Sequence, residues 1–216
     1  MGRNSVWIQV FPRKNRKFDY NRCMNVYDFD DTIYYGDSSV DLFFFCLKRN
    51  PAIIVKLPLM CWAWAGYKLK KWDKTRMKEM FYSYYRFVPD MKDTLRAFWE
   101  KKREKIKPWY LEQMKEDDVI ISASPYFQLK YICDEIGIKY LIASEVDPVT
   151  GKYFSPNNLA EVKPLRFREQ FPDASIDEFY SDSLSDTPMA RLAKKAFIVK
   201  DDELFDWEEY EKSHRR

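Results

Sequence analysis

Three carboxylates, Asp28, Asp30 and Asp31, fall within four positions at the end of an apolar-rich run, Met24-Asn25-Val26-Tyr27, that reads as a strand. Acids this close repel one another, so one must be protonated or a cation must sit between them. That combination suits a Mg2+-assisted site built on an aspartate. Val119-Ile120-Ile121-Ser122-Ala123-Ser124-Pro125 puts a hydroxyl at the end of a second apolar strand. The free N–H groups of the helix that follows would bind phosphate oxygens, unless Ser122 or Ser124 merely caps that helix. Lys163 could neutralise both an anion and a nearby carboxylate, with Lys152 as its nearest substitute. A lone lysine is also a common surface residue. Phe179-Tyr180-Ser181 is a third strand that runs into Asp182, with Asp186 four residues further on. Asp186 either joins the cluster or caps the helix that Pro188 opens. His214 is the only histidine, so histidine triads and His-rich zinc sites are excluded and acid–base work falls to carboxylates.

These residues need a scaffold, and the pattern supplies one. Strands at 24–28, 119–122, 139–142, 179–181 and 196–200 alternate with helices at 126–136, 160–171 and 187–195. That order predicts an α/β fold with a parallel sheet, in which ligands bind beyond the carboxyl ends of the strands. A hairpin is expected over 145–154, turning at Thr150-Gly151. Roughly 70 residues separate the first two strands, far more than a crossover or an unstructured loop takes. Helices at 40–48, 52–70, 74–86 and 90–106 fill the interval, with Asp37 or Ser38 as N-cap of the first. The expected organisation is an extension over 1–23, a core over 24–36 and 109–216, and an all-helical insertion over 37–108.

Asp28-Phe29-Asp30-Asp31-Thr32 resembles the DxDxT motif of the haloacid dehalogenase-like (HAD) hydrolases, most of which are Mg2+-dependent phosphatases. Ser122, Lys163 and the Asp182–Asp186 pair resemble the family's second, third and fourth motifs, in the same order. The insertion sits where the phosphoserine-phosphatase-like branch carries its C1 helical cap. The resemblance spans about residues 24–200, with two departures: Ala160 stands where the branch usually has glycine, and Pro164 follows the lysine. It implies a Rossmann-like parallel core under a helical cap. It also implies that Asp28 is the nucleophile and Asp30 the general acid and base. Mg2+ would be held by Asp28, the Asp30 main-chain carbonyl and Asp182, with Asp186 orienting from behind. Ser122 and Lys163 would hold the phosphoryl group of a small phosphorylated substrate such as phosphoserine. A phosphomutase, a lipid-phosphate phosphatase and a non-catalytic Mg2+-binding phospho-acceptor module are the alternatives.

The 216 residues are 46% hydrophobic and 33% charged, as in a soluble globular chain, and a net charge of +3 is too small to argue for nucleic acid. Cys23, Cys46, Cys61 and Cys133 match no metal-ligand spacing and suit a reducing, cytoplasmic setting. The basic residues of 1–23 read as a frayed leader, with Met24 a conceivable natural start. Aromatic residues gather in the insertion, as core or as an apolar docking surface. Its apolar stretch 51–67 is too short to span a bilayer and reads as a cap helix or an interfacial segment, which allows peripheral membrane contact.

Overall fold

A computed structural model describes residues 23–214, so the expected extension falls, but for Cys23, outside the described residues. Six strands, β1 (Cys23–Tyr27), β2 (Val119–Pro125), β3 (Tyr140–Ser144), β4 (Ser175–Ser181), β5 (Ala193–Lys200) and β6 (Glu203–Asp206), form one sheet in the order β3-β2-β1-β4-β5-β6. Every pair is parallel except β5 with β6. Tyr27 lies opposite Ile120 on one side and Tyr180 on the other. Strand order therefore reverses at β1, and the crevice beyond its carboxyl end is where such sheets bind ligands. Asp28 begins there, its N–H donating to the Tyr180 carbonyl at 2.9 Å.

Side chains alternate across a strand, so neighbouring residues feed two cores. Met24, Val26, Val119, Ile121, Phe179 and Ile198 pack on one face with Phe167 and Trp207. On the other face Tyr27, Ile120 and Tyr180 pack with Tyr34, Phe43, Tyr84, Tyr85, Phe98 and Trp99 from the segment between β1 and β2. Five helices occupy that segment: α1 (Ser38–Arg49), α2 (Leu57–Lys68), α3 (Lys74–Tyr82), α4 (Met91–Lys102) and α5 (Pro108–Gln113). Asp37, Asp73 and Asp90 cap α1, α3 and α4, their carboxylates accepting from first-turn N–H groups.

Four helices, α6 (Tyr126–Glu135), α7 (Val162–Gln170), α8 (Thr187–Ala190) and α9 (Trp207–His214), complete the described chain. Several elements differ from the sequence expectation. The helix expected over 52–70 divides into a 3-10 turn, Pro51–Lys56, and α2, because Pro58 suits only the first turn of a new helix. Those expected over 74–86 and 90–106 each close in a 3-10 turn, and α5 was not expected at all. The helix expected over 187–195 stops at Ala190. Ala193 and Lys195 pair instead with Ile176 and Glu178, so ladder hydrogen bonds outweigh the helical preference of Ala and Lys. The expected hairpin reduces to one antiparallel bridge, Val146 with Tyr153. In the tail, β6 adds an antiparallel edge and α9 docks through buried Trp207.

Candidate active site

Lys163 is 2% exposed and lies in the first turn of α7. Its Nζ donates to Asp28 Oδ1 at 2.8 Å and to Asp186 Oδ2 at 2.6 Å. The Ser181 hydroxyl donates to the same Asp186 oxygen at 2.8 Å. Burial alone would lower the lysine's pKa, but the two carboxylates raise it above its ordinary value, so the ammonium stays charged. Lys152 is exposed on the hairpin turn, away from this chain of contacts. Ala160, where the family motif usually carries glycine, has φ +48°, the left-handed region that favours glycine.

The acids are crowded, with Asp28 and Asp186 buried and Asp30 and Asp182 half-buried. Burial and the charge of Asp186 push Asp28 above the usual carboxylate range, against the lowering pull of Lys163. Asp30 is pushed up to about 7 by burial and by Asp37, although Ser124 and Ser38 donate to it. Its Oδ1 accepts from the Ser38 N–H at 2.7 Å and its Oδ2 from the Ser124 hydroxyl at 2.5 Å. Asp182 is also pushed up to about 7, by burial and then by Asp28 and Asp31. The Asp182 N–H donates to Thr32 Oγ1 at 2.9 Å, tying the loop after β4 to the loop after β1.

Ser122 is buried midway along β2, its hydroxyl accepting from the Ser124 N–H at 3.1 Å. The hydroxyl that reaches an acid belongs to Ser124. From sequence alone Ser124 is only a candidate helix cap. Sequence reasoning also misses Asn158, whose amide donates to the Ser122 carbonyl at 2.9 Å and to that of Ile142 at 3.1 Å, tying β2 to β3. It misses one face of α3 as well. Lys74, Lys78 and Tyr82 recur every four residues and so share one face of that helix. The Lys78 ammonium donates to the Ala123 carbonyl at 3.0 Å, and Tyr82 Oη lies 3.3 Å from Ser39 Oγ. Lys74, one turn earlier, feels the charges of Asp28 and Asp186.

The Lys163 ammonium pairs with Asp28 and Asp186, whose charges also reach Asp182, and Asp186 Oδ1 is buried with no hydrogen-bond partner among the described residues. That deficit of positive charge and the all-oxygen donor set fit a hard divalent cation such as Mg2+. Among the described residues no group of three or more His, Cys, Asp or Glu side chains could hold a metal by itself. The set that the family implies is smaller, two carboxylates and a main-chain carbonyl, and Mg2+ usually keeps several waters.

A parallel sheet with acids gathered at the carboxyl ends of its central strands defines a Rossmann-like α/β protein. Residues 26–191 match the sequence model of the haloacid dehalogenase-like hydrolases, and the chain belongs to that family. No curated protein matches it in sequence. Among solved structures it is similar to a protein of unknown function from Bordetella pertussis Tohama I, at 18% identity and TM-score 0.67, covering 82% of this chain and 89% of that one. A phosphoserine phosphohydrolase-like protein from Francisella tularensis is similar at 14% identity and TM-score 0.51, covering 81% and 86%. A HAD family hydrolase from Salmonella enterica serovar Typhi is similar at 15% identity and TM-score 0.55, covering 81% and 60%. At these identities the likeness is one of fold.

Proposed function

We propose that the chain is a Mg2+-dependent phosphomonoester hydrolase working through an aspartyl-phosphate on Asp28. The observation that carries this is the buried Lys163 ammonium held between Asp28 and Asp186. A lysine there favours the ionised, nucleophilic form of Asp28 against its burial and leaves positive charge where a transferring phosphoryl group needs it. Asp28 attacks phosphorus in line; the new Asp28 O–P bond forms as the ester P–O bond breaks. Asp30, its pKa near neutrality, protonates the leaving alkoxide and later takes a proton from the water that cleaves the acyl phosphate. Both Asp30 oxygens accept hydrogen bonds in the resting site, so one of these contacts gives way as the proton moves. Mg2+ held by Asp28, Asp182 and the Asp30 carbonyl would neutralise phosphoryl charge, with Asp186 acting from behind through Lys163. Ser122 and the main-chain N–H groups beyond β2 are the candidate cradle for phosphoryl oxygens.

The helices between β1 and β2 act, in this proposal, as a cap that closes over a small phosphorylated metabolite. The four free cysteines support a reducing, cytoplasmic setting. The test is phosphate release from a panel of phosphomonoesters, with Mg2+ present and then chelated. Asp28→Asn should keep the circular dichroism spectrum and lose turnover. Equal activity in that variant sinks the nucleophile. Stoichiometric labelling without release would replace the hydrolase with a phospho-acceptor module, and transfer to an acceptor hydroxyl would mark a phosphomutase.

A further inference from the structure

The helix α2 is apolar on both of its faces. Met60, Ala63 and Gly66 are buried, as the inward side of a surface helix should be. Its outward side carries Pro58, Cys61, Trp62 and Trp64, with Leu69 just past its end, all solvent-exposed. Trp62 and Trp64 are 57% and 58% exposed, and Ile54 and Val55 of the preceding 3-10 turn extend the surface at 57% and 63%. A surface helix ordinarily turns a polar face to water. Isolated exposed apolar residues need no explanation, but a contiguous set with two tryptophans does.

The charge pattern identifies the occupant. Residues 42–72 contain no Asp or Glu, while Lys48, Arg49, Lys56, Lys68, Lys70 and Lys71 flank the apolar surface. One-signed basic residues around exposed tryptophans are the composition of an interfacial helix lying in the headgroup layer of an anionic bilayer. A polar protein partner would not call for so large an apolar area, and six basic residues along 42–72 would repel a second copy of the same face. Lys68 Nζ stands 5.5 Å above the Trp64 ring, its stem along the apolar surface and its charge at the edge. The platform is also braced. The Trp62 and Trp72 rings lie 4.2 Å apart, and Trp72 is pressed so closely on Gly66 that any Cβ there would collide with it. Among the described residues no helix is long and apolar enough to cross a membrane, so a membrane-bound α2 would lie along the surface.

We propose that the exposed face of α2, with the turn before it, docks the protein peripherally on anionic lipid bilayers. The test is sedimentation of the full chain with vesicles of phosphatidylcholine alone and of phosphatidylcholine with phosphatidylglycerol. The protein should pellet with the anionic vesicles, far less with neutral ones, and be released by high salt, which shortens electrostatic range. Brominated acyl chains should quench its tryptophan fluorescence. The double variant W62S/W64S should lower partitioning by about tenfold or more while keeping its thermal melt. Should that variant fail to fold, K68E/K71E reverses two exposed charges and should also abolish anionic binding. Absence of pelleting with either vesicle overturns the proposal, as does wild-type pelleting by both variants. Self-association lost in the tryptophan variant, without vesicle binding, would overturn it too and assign the face to a second copy.

Discussion

The Ser124 hydroxyl donates to Asp30 Oδ2 at 2.5 Å, joining residues 94 positions apart in sequence. The bond fixes the rotamer of the proposed acid, and Ser39 Oγ lies 3.5 Å from the same hydroxyl. Ser124→Ala should therefore lower kcat about tenfold, the scale of one hydrogen bond to a charged group, with KM little changed. Ser124→Thr, which keeps the hydroxyl, should restore most of the rate. Steady-state kinetics with a chromogenic phosphomonoester reads both. A pure KM effect would show that Ser124 holds substrate instead of positioning Asp30.

Lys74, in the first turn of α3, feels the charges of Asp28 and Asp186 but forms no ion pair with any described residue. Burial and the neighbouring Lys78 lower its pKa, while Asp28 and Asp186 pull it back up. A dianionic phosphate entering the cleft would give it a partner. Lys74→Ala should raise KM about tenfold and change kcat much less, as expected of a cation that binds the phosphate charge equally in ground and transition states. A fall in kcat at unchanged KM would move Lys74 into the chemistry.

How much of this was legible in the sequence depends on how local each signal is. Strands that end abruptly in acids are local, so Asp28, Asp30 and Asp182 could be picked out from β1, β4 and the loops after them. Lys163 was not local; only its place in the order of motifs singled it out. The choice between Ser122 and Ser124 was hidden, because the register of β2 against β3 shifts between Ser122 and Pro125 and re-aims the side chains. Lys74 and Lys78 lie on a helix whose approach to β2 is set by tertiary packing. The extension of β5 back to Ala193, and β6 itself, exist only through pairing with neighbours, which no window of sequence contains.

Two left-handed residues give opposite stability predictions. Ala160 holds φ +48° just before α7, a conformation that strains any residue with a Cβ. Ala160→Gly should stabilise by about 0.5–1 kcal/mol, the relieved strain exceeding glycine's extra unfolded entropy. Gly151 has φ +73°, and a Cβ there would lie 2.5 Å from Tyr82 Cβ and 2.6 Å from the Tyr82 carbonyl atoms. Gly151→Ala should cost about 2–4 kcal/mol by overpacking and strain together. Differential scanning calorimetry distinguishes them: Tm rises by about 1–4 °C in the first and falls by more in the second. A neutral Gly151→Ala would mean that the turn and α3 are not in contact in solution.

Asp118, immediately before β2 and so at the opposite end of that strand from Ser124, predicts a pH dependence of the fold itself. It is fully buried; its Oδ2 accepts from the Lys115 N–H at 2.8 Å, and its Oδ1 has no partner among the described residues. Burial, with some repulsion from Asp117, pushes it up to about 6, against the lowering effects of the Lys115 N–H and ammonium. The phenols of Tyr27 and Tyr110 face it and stay neutral throughout this range. An acid whose folded pKa lies above its unfolded one binds more protons in the fold. Stability from this group is therefore greatest near pH 4, declines as pH rises to about 6, and is level above that. The decline should be on the order of 2 kcal/mol. Asp118→Asn keeps the acceptor for Lys115 and puts an uncharged amide in place of the unpaired charged oxygen. It should be more stable than wild type at pH 7, and urea unfolding between pH 4 and 7 should show the slope flattened. An unchanged slope in the variant would place the titrating carboxylate elsewhere.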